Sequence, residues 1–165
     1  MKFFLYALGV LGALAAMLVL AGQLGWLRGQ RPTDLGVKDG RLAPPSFTDN
    51  SVSSQAGLYP DHPSRQLAAI QPFPAQEGDL IASMQRLSAL LEATPGITIV
   101  TLRPDYLHAE AETRWMRFVD DLEFWANPTT GKIEVRSASR LGNRDFGVNR
   151  RRLEALRARY EAGAR

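Results

Sequence analysis

The chain has no cysteine. That excludes thiol nucleophiles, thiolate zinc sites, disulfides and lipid attachment through a cysteine. Histidine is nearly absent too: His62 and His108 are the only two, too far apart to form a helical metal pair, so a metal would have to be held by carboxylates. No strong excess of one charge exists either. The formal net charge is +3 over 165 residues, which argues against a dedicated nucleic-acid binder. Charged residues make up 22% and hydrophobic residues 45%, a composition that supports a folded domain and not wholesale disorder.

The sequence does contain a long apolar run. From Phe3 to Leu27 the only strongly polar side chain is Gln23. Such a run exceeds the roughly 20 residues a helix needs to cross the hydrocarbon core. Phe3, Phe4, Tyr6 and Trp26 lie towards its ends, where aromatic rings suit the interface. Residues 1–28 are therefore expected to form a membrane anchor or signal-anchor, with Phe3–Leu27 in the membrane. Val19-Leu20-Ala21 offers a cleavage pattern for a signal peptide, but the apolar run continues past it, which favours retention. Lys2 lies on one side of the run and Arg28, Arg31, Lys38 and Arg41 on the other. The positive-inside rule then points to a cytoplasmic domain, while the signal-like start points outward, so these residues leave the orientation open.

Residues 29–76 carry Pro32, Pro44, Pro45, Pro60, Pro63, Pro72 and Pro74. Prolines at this density break helices and ladders, so an extended tether is expected. Leu35, Val37, Leu42, Phe47 and Val52 are available to pack it partly on the domain, and its length would lift the domain clear of the bilayer.

Residues 77–165 read as a single α+β domain. Asp79 caps a helix over 80–93 whose apolar stripe is Leu80, Met84, Leu87 and Leu91. Four strands follow, over 97–102, 106–113, 117–126 and 132–139, divided by Arg103-Pro104-Asp105 and Asn127-Pro128-Thr129-Thr130-Gly131. Short connections predict an antiparallel four-stranded sheet. A last helix over 149–161 turns Asn149, Leu153, Leu156 and Tyr160 inward, and both helices are expected on one sheet face.

Two features bear on chemistry. On the third strand, Asp120 shares the core face with Phe118, Leu122 and Phe124 and therefore needs a partner. Asp121 and Glu123 share the other face, roughly 7 Å apart by strand rise, a spacing open to a metal or an acid/base pair. Arg114, Arg117 and Arg136 offer the simpler alternative of cross-strand ion pairs. The second feature is the connection from Ser137 to Asn149, with Ser137, Ser139, Arg140, Arg144 and Asp145 leading into a helix N-terminus that continues through Arg150. Helix N-termini and arginine forks both favour anions. The connection lacks a P-loop ending, and Asp145 or Asn149 serves equally well as a helix cap.

Three strings carry a resemblance: Phe118-Val119-Asp120-Asp121-Leu122-Glu123-Phe124, then Glu134 to Gly142, then Asp145 to Arg152. With Arg31 to Val37, Gly40 to Pro44 and Asn50 to Ala56 upstream, the chain resembles the domain of unknown function 1499 family. Asp120, Asp121, Glu123, Arg136, Ser137, Ser139, Arg140, Gly142, Asp145, Asn149 and Arg150 match its motif. The resemblance implies no established reaction and no cofactor. Its members usually carry two cysteines where this chain has Pro45 and Ser51. Joint loss of the two implies that they normally pair, which suits an oxidising compartment and points to the periplasm.

The expectation is thus a single-pass protein of the bacterial inner membrane with a periplasmic, non-catalytic domain. Its partners would be the membrane and an unknown envelope protein or an anionic ligand, not nucleic acid. Candidate ligand-binding residues are Asp120, Arg136, Ser137, Ser139, Arg140, Arg144, Asp145, Asn149 and Arg150. The alternative is a hydrolase-like enzyme using Asp121 and Glu123, with or without a divalent metal.

Overall fold

The computed structural model describes residues 1–163; Arg165, one of the C-terminal arginines, lies outside them. Helix α1 spans Lys2–Gln23. At 1.5 Å per residue it is about 33 Å long, enough to match the hydrocarbon core. It stops short of Leu27 because Gly25 adopts φ +82°, a left-handed conformation that ends the helix.

Among the described residues the sheet has six strands, not the four expected. Strands β3 (Ile97–Leu102), β4 (Tyr106–Glu112), β5 (Val119–Asn127) and β6 (Lys132–Ser139) form the antiparallel meander. The two further strands, β1 (Ser51–Ser53) and β2 (Phe73–Pro74), come from the proline-rich segment and share the free edge of β6. They are three and two residues long, too short for alternation to reveal, and Pro74 is tolerated because it lies at an edge. Short helix α2 (Arg65–Ala68) lies between them.

Helix α3 (Leu80–Glu92) starts at Asp79, whose carboxylate accepts a hydrogen bond from the Ala82 N–H at 2.9 Å. Helix α4 (Val148–Ala162) buries Asn149, Leu153, Leu156 and Tyr160. Met84, Leu87 and Leu91 of α3 join Leu153, Leu156 and Tyr160 of α4 in one core cluster. The same cluster takes Leu107, Ala109, Ala111, Leu122, Phe124, Ile133 and Val135 from the sheet, all from one side of the pleat.

The other side of the pleat is also buried: all nine residues of β5 are inaccessible. Its cover is the segment that follows α1. Leu42 is buried with Tyr106 and Trp125, and Val37 packs against them, whereas Phe47 points outward. The segment is a strap across the sheet. It does not hold the domain away from α1, for the Gln23 side chain donates to the carbonyls of Arg114 and Trp115 at 3.3 and 3.0 Å.

Candidate functional site

Alternation on β4 places Tyr106, His108, Glu110 and Glu112 on the strap side, and the register sets Glu110 opposite Asp121 and His108 opposite Glu123. On the next strand Arg136 lies opposite Glu123. A layer of charged side chains thus lies between the sheet and the strap. Asp121 and Glu123 are almost wholly inaccessible, at 1% and 0% exposure.

Unpaired carboxylates there would be very costly. Each is paired. The Arg140 guanidinium forks onto Asp121, with Nε 2.8 Å from Oδ2 and Nη2 2.7 Å from Oδ1, and Nη2 also reaches Glu110 Oε1 at 2.6 Å. His108 Nε2 is 2.8 Å from Asp121 Oδ1; facing a carboxylate, that nitrogen is the one that carries hydrogen. Glu123 accepts from Arg136 at 3.1 Å, from the Tyr106 hydroxyl at 2.8 Å and from the Gly36 N–H at 2.7 Å. The strap supplies more than Gly36. Arg31 Nε donates to Glu110 at 3.0 Å, Arg28 pairs with Glu112 at 2.6 Å, and the Pro44 carbonyl accepts from Arg136 at 3.2 Å.

Burial pushes the Glu110 and Asp121 carboxyls up, but arginine outweighs it. Hydrogen bonds from Arg140 and Arg31 hold Glu110 below the ordinary value, and those from Arg140 and His108 do the same for Asp121. The hydrogen bond to Asp121 in turn raises Arg140 despite desolvation. Burial, then the charge of Glu123, pushes the Tyr106 phenol up, so it stays protonated and donates. Carboxylates held this way are poor bases. Among the described residues no group of three or more His, Asp or Glu side chains is arranged to hold a metal.

The remaining candidates lie on the helix side of the sheet. Asp120 finds its partner in Arg152, whose Nη2 is 2.7 Å from Oδ2. Asn149 is fully buried. It accepts from Ser137 Oγ and from Arg152, and donates to Ser139 Oγ at 3.0 Å and the Asn50 carbonyl at 3.1 Å. Asp145 accepts from the N–H groups of Gly147 and Asn149, both at 2.8 Å, so the first donors of α4 already face a carboxylate. Arg150 donates to the Leu67 carbonyl. Arg144 is exposed, and no described side chain pairs with it. It borders a groove of about 290 Å³ that Phe118, Leu141 and Phe146 also line.

The sheet therefore divides the candidates. Asp121, Glu123, Arg136 and Arg140 meet beneath the strap; Asp120, Ser137, Ser139, Asp145 and Asn149 meet against α4. Sequence reasoning missed Tyr106, His108, Glu110 and Arg152, and the strap residues Arg28 and Arg31. For the β4 residues a signal existed, the polar positions alternating with Leu107, Ala109 and Ala111. Nothing local announces that Arg28 and Arg31 end on β4.

A family model described as "Protein of unknown function (DUF1499)" matches residues 41–159. No curated protein and no solved structure matches the chain.

Proposed function

The chain belongs to the DUF1499 family, and we propose that it is a membrane-anchored binding module and not an enzyme. In this reading α1 is a single span in the bacterial inner membrane and the domain lies in the periplasm, where it takes a partner protein or an anionic ligand. The length and apolar character of α1 support the span. One observation carries the non-catalytic reading: Asp120, Asp121 and Glu123 are each engaged by an arginine of the same chain. Asp121 and Glu123 also lie under the strap, which weighs against the hydrolase alternative. Of the four candidate arginines, Arg136 and Arg140 spend their donors inward and Arg150 reaches the Leu67 carbonyl, so Arg144 is the one left to meet an anion.

Two measurements test the reading. Protease treatment of spheroplasts, with an intact mass of the N-terminus, should show a digestible domain on an uncleaved anchor; a protected domain overturns the periplasmic placement. Titration of the full chain in micelles of an uncharged, phosphate-free detergent with inorganic phosphate should shift amide signals from Arg144 to Arg150. If those signals stay put, the anionic ligand is lost and cross-linking to envelope proteins must supply the partner.

A further inference from the structure

We propose that the domain docks directly on the bilayer that α1 crosses, through the β4–β5 turn, the end of α1 and the β6–α4 loop; this rests on the reading of α1 as a span. The first argument is the contact between α1 and the turn. Gly22 is buried, and a Cβ there would lie 2.5 Å from the Met116 carbonyl oxygen, so the two backbones meet at a distance only glycine permits. Gln23 donates to Arg114 and Trp115 carbonyls, and Arg117 donates back to the Gln23 carbonyl at 3.4 Å. The turn is fixed at the level where the helix ends. A helix that spans the hydrocarbon core therefore delivers this turn to the headgroup layer.

The second argument is what the surface there displays. Trp115 is 64% exposed and Phe146 82%, and Trp26, Phe118 and Leu141 also stand open. Phe118, Leu141 and Phe146 line one groove, the Gly29 backbone lies against Leu141, and Trp115 stands on the turn whose next residue, Met116, meets Gly22. The turn and the loop lie at the same end of the sheet, where Asp120 pairs with Ser139. Large apolar side chains left open there mark an interaction surface, and tryptophan is the residue most at home in the membrane interface.

The third argument is charge. Arg114 stacks over the Trp115 ring at 5.1 Å, and both Arg114 and Arg144 are exposed with no ion pair among the described residues. Guanidinium groups beside interfacial aromatics meet lipid phosphates, which gives the patch its polar half. The occupant is the phospholipid headgroup layer of the anchoring membrane.

The absence of cysteine makes the test direct. Single variants Leu11→Cys, Trp115→Cys and Phe146→Cys of the full chain would carry a nitroxide in bilayers of phosphatidylethanolamine and phosphatidylglycerol. Accessibility to oxygen and to a water-soluble nickel reagent then reports depth. Labels at 115 and 146 should favour oxygen severalfold over a label in water, and the label at 11 should read as hydrocarbon. Aqueous readings at 115 and 146 with a buried label at 11 overturn the docking and leave the anchor standing. An aqueous reading at 11 as well overturns both. Adding Arg114→Glu and Arg144→Glu should move the label at 146 towards water; unchanged depth overturns the part given to the two arginines.

Discussion

Arg140 reaches from the end of β6 across β5 to Glu110 on β4, and the nitrogen that touches Glu110 Oε1 at 2.6 Å also touches Asp121 Oδ1 at 2.7 Å. Glu110 and Asp121 are directly opposed across the strands. Without the guanidinium they would be facing carboxylates in a buried layer, with Asp121 left to His108 and Glu110 to the half-exposed Arg31 and Arg28. Arg140→Ala is therefore expected to cost roughly 3–5 kcal/mol, as when one partner of a buried pair is removed. Arg140→Lys should recover only part of it, since an ammonium cannot fork. Urea unfolding of the two variants checks this.

Acid should loosen the same layer. Burial raises the Glu110 and Asp121 carboxyls, but their arginine and histidine contacts bring both below the ordinary value. A carboxyl depressed in the folded state adds stability that is full above its unfolded pKa of about 4 and is lost as pH falls through the folded value. The midpoint of thermal unfolding should thus hold level above about pH 5 and decline below about pH 4. Glu110→Gln should shallow the acid limb, which a pH series of melts would reveal.

Asn149 gathers four groups from three segments around one amide: Ser137 and Ser139 of β6, Arg152 of α4, and the Asn50 carbonyl just before β1. Asn149→Ala leaves several of these groups buried without a partner, at a cost of about 1–3 kcal/mol for the first and less for those that can turn to one another. Chemical denaturation should register the loss, and amide exchange in β1 should quicken.

Ser51 lies beside the residue that follows Pro45, for its hydroxyl accepts from the Ser46 N–H at 2.8 Å. The two positions are thus close. Pro45→Cys with Ser51→Cys should form a disulfide worth about 2 kcal/mol by the loop-entropy estimate. Made in the cell it should be oxidised if the domain is periplasmic and reduced if cytoplasmic, which gel mobility after alkylation would read.

Much of the helix and meander architecture is legible without a structure. The strand over 132–139, the Asp79 cap and the inner face of α4 all follow from side-chain period and from turn residues, which act within a few positions. The demand that Asp120 find a partner is legible too, because burial makes it unavoidable; its identity, Arg152, is not.

The sequence by itself determined the apolar helix, the α+β succession and the alternation that turns acids to one face of β5. Only the tertiary structure decided that this face is covered, that β1 and β2 complete the edge of β6, and that Arg28 and Arg31 close over Glu110. The physical reason is range. Periodicity and capping are settled between neighbours along the chain, whereas an ion pair spanning about eighty residues is settled by where the backbone returns, and a charge carries no mark of the partner it will meet.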